Sequence, residues 1–147
     1  MTATTDKLNI ILIGNDIETR IVFKNALSKL DRLFNIGDYY CLDKAMTNPN
    51  QSNQIKPDII FLDTNSTADC SNEIRKIRKL DGFRDCSLIV YDSNCRLRDT
   101  NGIFSEGADA FINQPYDFPR LKKIIGDFVN LHWHTHRLEG NKQPYFL

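Results

Sequence analysis

The sequence predicts an α/β domain, a single doubly wound parallel sheet with helices on both faces. Three observations carry this. Continuous apolar runs end at polar turns: LNIILI at Leu8–Ile13, IIFL before Asp63, and SLIVY at 87–91. Short continuous apolar runs are the pattern of strands buried on both faces. Stretches with helical period lie between the runs, so strand and helix alternate five times along the chain, as in sheets built with right-handed crossovers. The run that opens at Pro57 also delivers a carboxylate, Asp63, to the C-terminal end of its strand, where open α/β sheets place ligands and chemistry.

The first strand ends at Gly14-Asn15-Asp16. A helix is predicted over 17–30, with Ile21, Val22, Ala26, Leu27 and Leu30 on its inner face and Asp16 or Asn15 as its cap. No GxxxxGK or GxGxxG pattern follows the Gly-Asn turn, so the turn carries no phosphate-loop signature. A strand over 34–42 and a short helix over 43–46 come next, then a polar loop at 48–53. The Asp63 strand leads into the small polar loop Thr64-Asn65-Ser66-Thr67. A helix over 69–80 turns Ile74 and Ile77 inward, and Arg75, Lys76, Arg78 and Lys79 form a solvated basic face. Gly82 ends that segment. The 87–91 strand stops at Asp92-Ser93-Asn94, and a weakly patterned helix covers about 97–106. Gly107 stops it, a short strand runs to Ile112, and Asn113-Gln114-Pro115-Tyr116 is a turn. Asp117 caps a last helix whose inner face is Leu121, Ile124, Ile125, Phe128 and Val129.

The chain has 147 residues, with Lys+Arg and Asp+Glu both at 19 and 41% hydrophobic content. That length supports one domain with a real core. A net charge of zero gives no electrostatic footprint for nucleic acid or an anionic membrane. No apolar run is long enough for a transmembrane helix, and 1–7 lacks a signal-peptide core. Cys41, Cys70, Cys86 and Cys95 have no zinc-type spacing; reduced thiols in the cytoplasm are the simpler reading.

PDIIFLD up to Asp63, LIVYDSN, and GADAFINQPYDFPRLKKII together resemble the receiver domain of bacterial two-component response regulators. The last is the most specific: receivers have Gly-Ala, an aromatic, then Lys-Pro and a capped helix at this spacing. The resemblance covers 7–130 and leaves 131–147 as a helix end and tail. It implies the flavodoxin-like receiver fold with sheet order 2-1-3-4-5, an order for which this same family is a standard illustration. It places Asp63 at the phosphoacceptor and Asn65 where a backbone carbonyl helps hold magnesium. Counted back from Arg20, the two metal-binding acids fall on Gly14 and Asn15; a slip of one residue makes them Asn15 and Asp16. The hydroxyl residue ending the fourth strand is Asp92, the Lys before Pro is Gln114, and Ser66-Thr67 replaces Met-Pro. Phe111 takes the place of the switch aromatic, on an output face that includes Tyr116. The Gln114-Pro115 bond is expected to be cis.

These departures dismantle the family's chemistry. Magnesium prefers hard oxygen ligands, and carboxylates offset its dehydration; Gly14 has no side chain and Asn15 is neutral. Asp92 sets a negative charge where phosphoryl oxygens need stabilising, and Gln114 brings no positive charge. The resemblance therefore implies a degenerate, pseudo-receiver type: a stand-alone, cytoplasmic phosphorelay protein, not an enzyme, acting through protein contacts. Its partners would be a histidine kinase, a phosphotransfer protein or a downstream effector, with no nucleic acid and no membrane. No cofactor is expected, and Mg2+ only in the alternative, a conventional receiver phosphorylated on Asp63. A remote third reading is a haloacid-dehalogenase-type phosphatase, whose nucleophile loop 63–67 faintly resembles; Asn65 removes its second acid. In the tail, His132, His134 and His136 alternate, but without a carboxylate or Cys beside them a flexible tail is the simpler reading.

Overall fold

The computed structural model describes residues 7–47, 57–63, 70–80, 82–83, 86–92, 101–113, 118–127 and 129. Five strands and five helices alternate: β1 (Leu8–Ile13), α1 (Ile17–Ser28), β2 (Phe34–Tyr39), α2 (Leu42–Thr47), β3 (Ile59–Asp63), α3 (Cys70–Lys79), β4 (Ser87–Asp92), α4 (Asn101–Glu106), β5 (Ala110–Asn113) and α5 (Phe118–Asp127). The strands form one sheet in the order β2-β1-β3-β4-β5, with every neighbouring pair parallel. This is the doubly wound α/β class and the strand order that the resemblance implies.

The three central strands are buried almost throughout, as their continuous apolar runs require. Alternation along each strand divides the core into two layers. Leu8, Ile10, Leu12, Phe61, Ile89, Tyr91 and Ile112 pack with α1 and α5 through Phe23, Leu27, Leu121 and Ile125. Ile11, Ile13, Ile60, Leu62, Leu88, Val90 and Phe111 pack on the other face with Leu42, Ile74, Ile77 and Ile103. Asn9, the polar break in β1, is absorbed at the lower edge. Its N–H donates to Asp58 Oδ2 (2.9 Å), and its side-chain oxygen accepts from Asn35 Nδ2 (2.9 Å).

Three expectations need correction. Ile21 is outside, 45% exposed, and Phe23 is buried in its stead. Helix α1 carries two apolar stripes, Ile17/Ile21 and Val22/Phe23/Ala26/Leu27/Leu30, and the aromatic one wins. Phe23 stacks tilted on Phe61 (5.2 Å between centroids) and edge-on to Tyr91 (4.5 Å). β2 ends at Tyr39, where Gly14 N–H donates to Tyr39 O (3.0 Å) and closes the ladder; Leu42 is the buried first residue of α2. Arg78 is not part of a solvated face. It stands four residues after Ile74, on the flank of the apolar stripe, and reaches under the sheet edge to Asp109, 2.8 Å away.

Gly107 makes room for that arginine. Its φ is +129°, open to glycine alone, and a Cβ there would meet Arg78 Cγ at 2.9 Å. The loop at 48–53, residues 97–100, the cap Asp117, Phe128 and the tail with its three histidines lie outside the described residues.

Candidate functional site

The site is the C-terminal edge of the sheet. β1 delivers Gly14, β3 Asp63, β4 Asp92 and β5 Asn113. Register sets Asp63 beside Tyr91, and Asp92 beside Asn113. Both carboxylates are buried, Asp63 4% exposed and Asp92 0%. Strand alternation turns Asp63 to the α1/α5 side with Phe61, and Asp92 to the α3/α4 side with Val90 and Phe111.

Gly14 lies directly against Asp63. A Cβ at residue 14 would stand 3.0 Å from Asp63 Cβ and 3.5 Å from its Oδ2, closer than side chains normally pack. The backbone of Gly14 is held from both sides: its N–H donates to Tyr39 O, and its carbonyl accepts a short hydrogen bond from Arg20 Nη1. Asn15 is exposed. Asp16 caps α1, accepting from Glu18 N–H (3.1 Å) and from the Thr19 hydroxyl (2.8 Å). The cap therefore occupies both oxygens of the acid that a one-residue slip would have offered to a metal.

Beneath Asp63 is a cavity of about 10 Å³, room for one water molecule. It is walled by Gly14, Thr19, Arg20, Phe23, Phe61 and Tyr91. Arg20 is braced on its far side by Asp38: Nε lies 2.6 Å from Oδ1, a close ion pair without hydrogen-bond geometry. Lys24 Nζ binds the other oxygen at 2.6 Å. Sequence reasoning used Arg20 only as a counting mark and missed Phe23, Tyr91 and Asp38. These come from α1, β4 and β2, and only the fold unites them; the sole sequence signal was the aromatic at position 23 on the helix that follows the Gly14 turn.

The donor set does not fit magnesium in the way the resemblance implies. Among the described residues, no group of three or more His, Cys, Asp or Glu side chains stands close enough to hold a metal ion, and a side chain at residue 14 would sit tightly against Asp63, its Cβ 3.0 Å from that of Asp63. Phe111 is buried, 4% exposed, in the core cluster with Val90 and Ile103. Asn65, Gln114, Tyr116 and the Gln114-Pro115 bond lie outside the described residues.

No protein-family model and no curated protein matches the chain. Solved structures do. The phosphorylated cyanobacterial phytochrome response regulator RcpA is similar at TM-score 0.71 and 17% identity, covering 84% of this chain and 94% of its own. The Mn(2+)-bound form of response regulator Rcp1 is similar at TM-score 0.71 and 14% identity, covering 87% and 96%. The receiver domain of a DNA-binding response regulator from Colwellia psychrerythraea 34H reaches 23% identity at TM-score 0.65, covering 84% and 98%. The fold is that of response-regulator receiver domains.

Proposed function

We propose that this chain is a pseudo-receiver in phosphorelay signal transduction, working through protein contacts and not through phosphoryl transfer. The observation that carries the reading is the contact between Gly14 and Asp63. Where a conventional receiver needs a metal-binding acid, Asp63 stands against bare backbone, and a Cβ would come within 3.0 Å of it. Asn15 adds a neutral amide and Asp92 a second buried carboxylate. Phosphoryl transfer depends on cations that neutralise developing charge, and Gly14, Asn15 and Asp92 bring none and supply no metal-binding acid beside Asp63. The protein is then a binding module and not an enzyme. Its partners are of the kind receivers meet, a histidine kinase, a phosphotransfer protein or a downstream effector.

The retained Asp63 favours the second reading, a conventional receiver phosphorylated on that residue. Magnesium separates the two. Titration of 15N-labelled protein with MgCl2 into the millimolar range is expected to leave the Asn15 and Asp63 amide resonances in place. Saturable shifts at those amides that vanish in Asp63→Asn would contradict the pseudo-receiver reading.

A further inference from the structure

Arg20 walls the cavity beneath Asp63, and the charges around this arginine do not balance among themselves. Arg20 and Lys24 both lie on Asp38, each at 2.6 Å, so two cations share one carboxylate. Arg20 is also the fourth residue of α1, in the first turn, where the helix dipole disfavours a cation. A positive charge held at such a place calls for a second anion. Asp63 is the one carboxylate among the residues that wall the cavity. It is 4% exposed, and a charge buried that deeply is normally paired. Asp16 uses both of its oxygens in the α1 cap, and Asp92 belongs to the opposite face of the sheet.

Gly14 links the two groups. Its carbonyl accepts from Arg20 Nη1, and its Cα lies against Asp63, a Cβ there standing 3.5 Å from Oδ2. The cavity they share has room for one water, and a buried water needs two to four polar partners. Those partners are in place. Arg20 Nε is buried and has no acceptor in hydrogen-bond geometry among the described residues. The Thr19 hydroxyl gives its proton to Asp16 Oδ2 and keeps lone pairs to accept with. The Asp63 carboxylate is an acceptor as well.

We propose that Arg20 is the built-in counter-ion of Asp63, coupled to it through one water in this cavity. The water accepts from the guanidinium and donates to the Asp63 carboxylate and to Thr19 Oγ1. Such a bridge is nearly as good as a direct hydrogen bond. A cation fixed in α1 thereby takes the neutralising role that a divalent metal has in a conventional receiver, and unlike a metal it does not exchange. The inference deepens the pseudo-receiver reading and rests on it. Arg20 is a positioning residue here: it acts on Asp63 and takes part in no reaction.

The test is a double-mutant cycle in urea unfolding of the full chain: the unmodified protein, Arg20→Met, Asp63→Asn and the double variant. Arg20→Met is expected to raise the unfolding constant at least about threefold more in the unmodified protein than in the Asp63→Asn background. An arginine that only braces Gly14 O and Asp38 costs the same in both, so effects that agree within about twofold overturn the proposal. A second readout uses the unmodified chain and depends on no variant folding. Water-to-protein NOEs are expected from one long-lived water to the Thr19 methyl and the Phe23 ring, both of which wall the cavity; a cavity that gives none overturns the bridge. Magnesium-induced shifts at Asn15 and Asp63 with the coupling intact would count against the pseudo-receiver reading and leave the Arg20–Asp63 couple standing. Additive variants with no magnesium shift would do the reverse.

Discussion

Arg78 donates to Gly107 O from Nε (3.0 Å) and Nη2 (2.6 Å), to Cys86 O from Nη1 (2.7 Å), and to Asp109 Oδ2 from Nη2 (2.8 Å). The same Asp109 oxygen accepts from Leu88 N–H at 2.9 Å. One side chain therefore ties α3 to the start of β4 and to the turn before β5. Its side chain is 13% exposed and that of Asp109 8%, so solvent screens the pair little. Removing the cation strands a buried carboxylate, which costs about 3–5 kcal/mol in comparable buried pairs. Arg78→Ala is expected to lose at least about 3 kcal/mol in urea unfolding. Arg78→Lys should recover only part, because an ammonium lacks the fork that reaches several acceptors at once. A loss below about 1 kcal/mol, the range of an exposed pair, would show that the network is not buried in solution. The sequence placed this arginine among solvated charges because neighbouring Arg75, Lys76 and Lys79 are exposed. What it could not show was the glycine two elements away whose missing Cβ admits it.

At the scale of elements, α3 and α4 are joined on their exposed sides by Arg75, whose Nε and Nη2 donate to Glu106 Oε1 (3.0 Å) and Oε2 (2.8 Å). The hydrogen bond from Arg75 holds the Glu106 carboxyl below its ordinary value. A folded-state value below the unfolded one means the contribution is present above the unfolded value and lost as pH falls through the folded one. The 13C titration of the Glu106 carboxyl is expected to have its midpoint below that of ordinary glutamates, and Arg75→Gln should return it to the usual range. A normal midpoint in the unmodified protein would mean the fork is open in solution. Elements themselves were legible to different degrees. β1, β3 and β4 follow directly from continuous apolar runs ended by polar turns, since burial on both faces leaves little freedom. α1 was legible in place but not in rotation, because its two apolar stripes compete and only Phe61 and Tyr91 decide between them. The end of β2 depends on its hydrogen-bonded partner β1, which local sequence does not contain.

For the whole molecule, the sheet order and the gathering of Gly14, Asp63 and Asp92 at one edge follow from topology, and the sequence motifs marked those positions before the fold was known. The packing of Gly14 on Asp63, and the Arg20–Asp38 brace behind it, appear only when three strands and a helix are assembled. On the pseudo-receiver reading proposed above, this edge transfers no phosphoryl groups. Losing one contact to the transferring group costs about 2–4 kcal/mol at the transition state, a slowing of roughly one to three orders of magnitude. Losses at several positions need not add, because such groups act as a unit. A restored quadruple variant, Gly14→Asp, Asn15→Asp, Asp92→Thr and Gln114→Lys, should move the protein toward modification, with Gly14→Asp limited by the 3.0 Å approach to Asp63. The most direct measurement is the intact mass of the unmodified chain after incubation with magnesium and acetyl phosphate. A pseudo-receiver is expected to take up little or no phosphoryl adduct. Rapid, magnesium-dependent addition of one phosphoryl group that disappears in Asp63→Asn would contradict it.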